Sequence, residues 1–346
     1  MLSELTSPRI IAGVAAAVAT ALFLPLVLRL SRKWRLYDSD GPLKIHTQQI
    51  SRLGGVAIIC GLLAGIASTS LDGTQEAWVP VLVFLLVWAT GLVDDLRGLP
   101  PIARLLIQLA AGMALWAAGW SLPLFANSVL NLLCTCIFVS GFINAFNFLD
   151  GADGVAASVA LVICFAYALL PSPEMSAAGS VVAAALAGCC AAFLLFNFPP
   201  ARIFMGDSGS TLLGLGIAFL GLDFCRARPG DDSRLLLPIV FAALPLLDLG
   251  LAMLRRLRKR SSLFSGDRQH FYDLLLLRGW PARRVVGVSA LFTALLTFGG
   301  WLVSQQDAFV ASLLLAAVSI SLLAAIAIYL GSLRIDPGMR NSDSPL

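Results

Sequence analysis

The chain has 346 residues and a net charge of +4, and 58% of its residues are hydrophobic while only 13% are charged. Soluble domains carry about a quarter charged residues, so the polar surface here is too small to cover a water-facing globule. This composition excludes a soluble enzyme, a disordered chain and a disulfide-rich secreted domain. The mild positive charge does not indicate nucleic-acid binding.

Apolar runs that are long enough to cross a bilayer, which takes about 20 residues, recur along the whole chain. We predict an all-α, polytopic integral membrane protein with one membrane-embedded domain over 1–346. It has about eleven transmembrane helices, with ten as the alternative count. The predicted spans are 9–30, 54–70, 78–93, 103–120, 128–148, 154–171, 178–196, 210–225, 235–254, 285–303 and 308–331.

The basic residues are unevenly divided between the two sides of these spans. With the N-terminus outside, 20 of the 24 lysines and arginines fall on the inner side. Because lysine and arginine collect in cytoplasmic loops, we predict an external N-terminus and a cytoplasmic C-terminus. The cytoplasmic loops are predicted at 31–53, 94–103, 149–153, 197–209 and 255–284.

The acidic residues collect on that same inner side, which indicates a site at the inner leaflet. Asp94 and Asp95 end the third span. Two adjacent carboxylates at a helix C-terminus are unfavourable, and a metal or a cationic substrate group would offset this. The alternative is a pair of solvated acids beside Arg97.

A second polar group follows the fifth span. Asn144, Asn147 and Asp150 are spaced three residues apart, so they share one face at the end of a helix. Asp150 and Asp153 each precede a glycine, which is typical of a tight turn that lets backbone approach a ligand. The alternative is a polar turn with helix caps, although polar groups at the mouth of an apolar helix are costly unless they are used.

A third acid precedes the eighth predicted span. Gly206 and Gly209 bracket Asp207 and Ser208. A helix N-terminus can hold an anion, and Asp207 can hold a cation. The alternative is that Asp207 or Ser208 caps the helix. Phe204, three residues earlier, is suited either to stacking on a base or to packing.

Two further acids lie within predicted spans. Asp248 lies inside the ninth span, where an ionised carboxylate is costly. It needs a partner, for which we consider Arg255 or Arg256, or else it is neutral. A structural role is favoured over a catalytic one. Asp223, near the outer edge of the eighth span, is also interpreted as structural.

The basic loop after the ninth span contains one of the two histidines of the chain. Anchoring on anionic lipid accounts for its basic run at 255–260. It does not account for His270 beside Tyr272 and Asp273.

In this order, the acidic pair, Asn-x-x-Asn-x-x-Asp-Gly-x-Asp-Gly, Phe-Met-Gly-Asp-x-Gly-Ser and the histidine-bearing loop resemble the polyprenyl-phosphate N-acetylhexosamine-1-phosphate transferases, glycosyltransferase family 4. The resemblance covers residues 29–284. It implies Mg²⁺, with Mn²⁺ as the alternative, a UDP-sugar and a polyprenyl phosphate acceptor. It also implies a site on the cytoplasmic face of the inner (plasma) membrane, and a homodimer stays open.

The resemblance also implies roles for individual residues. Catalytic roles fall to Asp94, Asp95, Asp150 and His270, and the Mg²⁺ ligand is Asp207. Substrate-binding roles fall to Lys44, Arg52, Arg104, Asn147, Asp153, Phe204 and Arg268. Gln108, four residues after Arg104, matches the glutamine of the same family segment.

The chain departs from the family pattern in the two loops that the resemblance assigns to the sugar and phosphate side. Tyr272 and Asp273 stand where the family has later histidines, and Gln49 and Ser51 stand where it often has prolines. The histidine-poor loop favours a GlcNAc-1-phosphate transferase that initiates a lipid-linked surface glycan. The alternatives are the phospho-MurNAc-pentapeptide transferase of peptidoglycan synthesis and, in another class, an ion-coupled transporter. A transporter places its ionisable groups near the membrane midplane.

Overall fold

The computed structural model describes residues 7–34, 50–69, 78–171, 174–227, 234, 236–262, 268–304 and 319. In these ranges the regular elements are helices, apart from one isolated parallel bridge between Ser51 and Ile203. The helices are α1 (Pro8–Trp34), α2 (Gly54–Ala67), α3 (Trp78–Arg97), α4 (Pro101–Ala117), α5 (Ser128–Leu149), α6 (Val155–Ala168), α7 (Ala177–Asn197), α8 (Gly206–Arg226), α9 (Leu236–Phe241), α10 (Ala243–Arg258), α11 (Phe271–Leu277) and α12 (Ala282–Ser304).

Six of these helices are long and apolar enough to cross a membrane, namely α1, α3, α5, α7, α8 and α12. The shorter helices α2, α4 and α6 are also apolar. The prediction of an all-α, polytopic membrane protein is therefore confirmed for the described residues. The count of eleven spans and the sides of the termini stay predictions, and the predicted span 308–331 lies outside the described residues.

The ninth predicted span, 235–254, is wrong as a single helix. The structure divides it into α9 and α10, with the break at Ala242 (φ −99°, ψ 20°). The cause is Pro245, which has no N–H to donate to the carbonyl of Phe241 and whose ring collides with that carbonyl in a continuous helix.

The helices run alternately between two ends of the bundle. At one end, Arg9 at the start of α1 donates to the carbonyl oxygens of Ala168 (3.1 Å), the last residue of α6, and of Leu170 (2.7 Å). At the other end, Arg283 at the start of α12 donates to the carbonyl oxygen of Pro199 after α7 (2.9 Å). We call this second end, where α3 and α5 finish and α8 begins, the site end, and the first the opposite end.

Helix α8 lies at the centre of the bundle, in contact with α2, α3, α5, α6, α7 and α9. Its residues from Ser208 to Cys225 are all buried. Two glycines allow the closest approaches at its N-terminus. A Cβ atom on Gly91 of α3 would lie 2.5 Å from the Cα of Ser208, and one on Gly55 of α2 would collide with the amide nitrogen of Gly209. The first turn of α8 is therefore held directly against two neighbouring helices.

Candidate active site

The loop before α2 and the loop before α8 are joined by their backbones at the site end. Phe204 donates its N–H to the carbonyl of Ser51 (2.8 Å) and accepts from the N–H of Gly54 (3.0 Å), while Gly55 donates to the carbonyl of Met205 (2.9 Å). This pairing fixes the half-buried Phe204 beside the segment that contains Arg52.

The carboxylate of Asp95, at the end of α3, caps α8 from a different helix. Its two oxygens accept from the N–H groups of Asp207 (2.7 Å) and Ser208 (3.0 Å). The prediction that Asp207 or Ser208 is the cap is wrong, because α8 begins at Gly206, four residues before the predicted start. The residue before it, Met205, makes no side-chain cap bond. Asp207 therefore lies in the first turn of α8, and its carboxylate does not cap the helix.

Arg104 of α4 lies between two carboxylates. Its Nη1 donates to Oδ2 of Asp94 (2.8 Å) and to Oδ2 of Asp207 (3.2 Å). Asp94 also accepts from the N–H of Leu99 (2.6 Å). The Asp94 side chain is 7% exposed, whereas those of Asp207 and Arg104 are each 33% exposed. Asp94 and Asp95 are thus held by specific donors rather than simply solvated, and Asp207 presents the accessible carboxylate.

A small cleft lies between α3, α4 and α8 beside this ion pair. Asp94, Arg104 and Asp207 line its polar part, and Val87 and Ile107 contribute apolar walls. The cleft therefore combines a charged group with an apolar surface inside a membrane-embedded bundle, which suits an amphiphilic molecule with an anionic head.

The turn after α5 is tied to the loop before α8. Asp153 accepts from the N–H of Ala201 (3.0 Å). Asn197 accepts from the N–H of Gly154 (2.9 Å) and donates to the carbonyl of Ile203 (2.8 Å). Asn197 is a positioning residue that the sequence reasoning did not single out. The only signal for it in the sequence was an amide side chain at the end of an apolar run.

Asp150 occupies the end of α5, with Asn147 half-buried one turn before it. Burial raises the pKa of the Asp150 carboxyl well above its usual range, and the negative charges of Asp207 and Asp95 raise it further. Asp150 therefore belongs to the same electrostatic cluster as the acids of α3 and α8. Asn144, one turn before Asn147, donates to the buried Gln108 of α4 (2.6 Å) and so connects α5 to α4.

The acids of the site end, Asp94, Asp95, Asp150 and Asp207, suit a bound cation. No three His, Cys, Asp or Glu side chains in the described ranges converge as a preformed metal site. Mg²⁺ requires only one or two carboxylates and keeps several waters. The partly exposed carboxylate of Asp207, crowded by other acids, fits that requirement.

His270 precedes α11 and is buried against α10. Its Nδ1 lies 2.6 Å from Oδ2 of Asp248, and Oδ1 of the same carboxylate accepts from the N–H of Phe271 (3.0 Å). The predicted partners of Asp248, Arg255 and Arg256, are therefore wrong. The partner is His270, which lies 22 residues further along the chain and packs against α10.

Of the departures from the family pattern, Tyr272 and Asp273 have structural roles around His270. Tyr272 stacks on the His270 ring (5.5 Å, 9°) and donates its hydroxyl to the carbonyl of Phe148 (2.9 Å). Asp273 accepts from the N–H of His270 (3.3 Å). Arg268, two residues before His270, is exposed. Lys44, predicted to bind substrate, lies outside the described residues.

At the opposite end, Asp223 accepts three hydrogen bonds, which agrees with its predicted structural role. It accepts from the indole N–H of Trp120 (3.2 Å) and from both the N–H (2.9 Å) and the hydroxyl (2.8 Å) of Ser176.

The chain is similar to known proteins along most of its length. Residues 77–224 match the model of glycosyl transferase family 4. The chain is 32% identical to the decaprenyl-phosphate N-acetylglucosaminephosphotransferase of Mycobacterium leprae, over 83% of this chain and 81% of that protein. The chain belongs to glycosyl transferase family 4. This transferase is therefore an enzyme and a multi-pass membrane protein, and the family resemblance of its motifs is confirmed.

Two other relatives indicate the range of the family. This transferase is 27% identical to the undecaprenyl-phosphate alpha-N-acetylglucosaminyl 1-phosphate transferase of Escherichia coli K12, over 80% of this chain and 79% of that protein. It is 31% identical to the phospho-N-acetylmuramoyl-pentapeptide-transferase of Moorella thermoacetica, over 79% of this chain and 91% of that protein.

Proposed function

We propose that this glycosyl transferase transfers GlcNAc-1-phosphate, or a closely related HexNAc-1-phosphate, from a UDP-sugar to polyprenyl phosphate. The reaction occurs at the cytoplasmic face of the inner membrane and begins a lipid-linked surface glycan. Relatives named for this activity in Mycobacterium and Escherichia support the proposal. The observation that carries it is the accessible carboxylate of Asp207 beside Arg104, next to the cleft between α3, α4 and α8.

The reaction is a phosphoryl transfer. An oxygen of the lipid phosphate attacks the β-phosphorus of the UDP-sugar, the bond to the α-phosphate oxygen breaks, and UMP leaves. Positioning and charge neutralisation supply most of the catalysis in such reactions. Asp207 would hold Mg²⁺, or Mn²⁺, and the cation would supply neutralising charge for the diphosphate. The protein's own task is to hold two anions in line.

The hydrogen bonds at the site end support distinct roles for its residues. Arg104 receives the acceptor phosphate, and Asp94 orients Arg104. Asp95 holds the first turn of α8 and with it Asp207. A phosphate is mostly ionised at neutral pH, so the acceptor does not require a strong base. This agrees with Asp95, whose two carboxylate oxygens already accept hydrogen bonds from α8.

The donor side is formed by the residues around the turn after α5 and the loop before α8. Asn147, Asp150 and Asp153 lie at that turn, and Phe204 lies in the paired loop. We assign the uridine and sugar to this side. The phosphates of the UDP-sugar bind to cationic groups from Arg52, Arg268 and Lys44. His270, two residues after Arg268, has the catalytic role on this side.

One assay tests the proposal. Purified protein is incubated with polyprenyl phosphate, Mg²⁺ and a panel of UDP-sugars, and UMP release is measured. We expect release with UDP-GlcNAc or a derivative and none with UDP-MurNAc-pentapeptide. The relative from Moorella favours the pentapeptide donor as the second candidate, so efficient turnover of that donor would replace the first candidate while keeping the family.

A labelling experiment tests the side of the membrane. Cysteines introduced at the exposed positions 98 and 202, at the site end, should react with an impermeant thiol reagent only after permeabilisation. Cysteines at positions 74 and 230 should react in intact cells. External labelling at 202 would contradict a cytoplasmic site.

A further inference from the structure

A buried amide on α4 lies beside the charged part of the cleft between α3, α4 and α8. Gln108 follows Arg104 by four residues, so the two side chains share one face of α4. Both line the cleft, together with Asp94 and Asp207. Gln108 is only 6% exposed, and a buried amide is costly unless its oxygen and its nitrogen both have hydrogen-bond partners. The partners of Gln108 therefore indicate what the cleft binds.

Asn144 of α5 determines which way the Gln108 amide points. One side-chain atom of Asn144 lies 2.8 Å from the carbonyl oxygen of Ser140, which can only accept, so this atom is the nitrogen Nδ2. The same nitrogen lies 2.6 Å from Gln108, whose facing atom must then be the accepting oxygen Oε1. Gln108 lines the cleft, whereas Asn144 is not among the described residues that do. The Oε1 end of the amide therefore contacts α5, and the Nε2 end is left for the cleft.

Two side chains of the cleft keep N–H groups for which the described residues provide no acceptor. Nη1 of Arg104 has two hydrogens, which Asp94 and Asp207 accept, and this leaves Nη2 and Nε of the guanidinium. Nε2 of Gln108 likewise has no acceptor in the ranges that the structure describes. N–H donors bind anions and not cations, so these groups fit the oxygens of a phosphate. The apolar walls of the same cleft favour a phosphate that is attached to a lipid chain.

We propose that Gln108 binds the phosphate of the polyprenyl acceptor through Nε2, and that Asn144 is the positioning residue that keeps Nε2 directed to it. The inference rests on the proposed function for the identity of the lipid. Arg104 supplies the charge for this phosphate, and Gln108 adds a neutral donor one helical turn away. Asn144 contacts no substrate and acts only through Gln108.

Steady-state kinetics of three variants provide the first test. Gln108→Met has a side chain of similar length without a donor, so it should raise the KM for polyprenyl phosphate about 10-fold, the effect of a lost hydrogen bond to a charged group. Asn144→Leu leaves the Gln108 amide free to turn and should raise this KM a few-fold. The double variant should have the same KM as Gln108→Met alone. The KM for the UDP-sugar should stay unchanged in all three, and a rise in it instead would overturn the assignment to the acceptor.

Thr135→Val is the matched control for Asn144→Leu. Thr135 also lies on α5, donates to the carbonyl four residues before it, that of Asn131 (2.7 Å), and accepts from the N–H of Leu122 in another segment (3.0 Å). The control should lower Tm and leave both KM values at the wild-type level. The positioning role is overturned if Asn144→Leu behaves in the same way, or if the KM increases of Asn144→Leu and Gln108→Met multiply.

Binding without turnover tests Gln108 independently of the reaction. Purified wild type and Gln108→Met are titrated, without UDP-sugar, with polyprenyl phosphate and with the uncharged polyprenol of the same length. We expect the wild type to bind the phosphate more tightly than the alcohol, and this preference to fall about 10-fold in Gln108→Met. An equal preference in the two proteins, or none in either, would overturn the role of Gln108. Absence of UMP release from the wild type with every UDP-sugar would instead overturn the proposed function, and the binding preference would still decide the role of Gln108.

Discussion

The two ends of the bundle both contain buried acids, but they satisfy them differently. At the opposite end, Asp223 accepts three hydrogen bonds, and Glu174 is paired with Arg234, whose guanidinium also lies 3.9 Å from the Phe224 ring. At the site end, Asp207 shares the Nη1 of Arg104 with Asp94 and stays one-third exposed. Fully bonded acids stabilise the fold, whereas the site end keeps negative charge available to a ligand.

The largest expected effect comes from removing the negative charge of Asp207. Asp207→Asn removes the negative charge that holds a divalent cation and should lower turnover by roughly two orders of magnitude, the scale of a main electrostatic contribution. Thermal stability should change little, because Asp95 and not Asp207 caps α8. UMP release and Tm are the measurements.

Asp223→Asn is the control for this exchange and should show the reverse. One oxygen cannot serve three donors, so it should cost about 1–3 kcal/mol of stability without loss of turnover. If Asp207→Asn shows normal turnover that still depends on Mg²⁺, the metal ligand is instead Asp94, Asp95 or Asp150.

The second effect concerns Arg104, the cation between the two carboxylates. Arg104→Gln should raise the KM for polyprenyl phosphate roughly 10-fold or more, the scale of a lost hydrogen bond to a charged group. Arg104→Lys keeps the charge but not the planar fork, and should give an intermediate value. Steady-state kinetics with varied acceptor measure both. Equal KM values in the three proteins would show that the acceptor phosphate binds elsewhere.

A smaller and mixed effect is expected for Asp95, which is both part of the acidic cluster and a helix cap. Asp95→Asn keeps one accepting oxygen for the two amides of α8 and should cost about 1 kcal/mol. Because Asp207 then loses part of its support, turnover should also fall, by less than in Asp207→Asn. Tm and UMP release are compared in the same preparation. A loss of turnover with unchanged Tm would favour direct contact with substrate.

The smallest effect concerns Asp273. Burial raises the pKa of its carboxyl, and this outweighs the lowering by His270. The folded state therefore favours the protonated acid, so its stabilising contribution is present below pH of about 4 and is lost as pH rises through the raised pKa. Asp273→Asn keeps an acceptor for the His270 N–H without the charge, so its Tm should improve relative to wild type as the pH rises above about 4. A constant difference in Tm would contradict this.

The sequence predicted the helices well because hydropathy is a local property. The predicted fifth span, 128–148, agrees with α5, Ser128–Leu149, to one residue. The break between α9 and α10 was missed although its cause is local, since Pro245 acts on the carbonyl of Phe241 four residues earlier. The start of α8 was missed because Gly206 adopts a positive φ of 69° that residue type alone permits but does not require.

The site was predictable in its residue types but not in its partners. The pattern of acids and amides correctly brought Asp94, Asp95, Asp150 and Asp207 into one electrostatic cluster. It did not reveal that Asp95 would bind amides 112 residues away, since that depends on how closely α3 approaches α8. The physical rule that a carboxylate in a membrane helix needs a partner predicted the need at Asp248, but only the fold shows that His270 supplies it.

The enclosure of α8 also bears on how the protein reaches the membrane. Among the six long helices it has the lowest mean hydropathy, and it is the one wholly covered by its neighbours. Its serines, threonine and Asp223 are tolerated because protein, and not lipid, surrounds them. During biogenesis, α8 therefore gains least from entering the bilayer alone and most from the helices that wrap it. Insertion and tertiary assembly are coupled at this one segment.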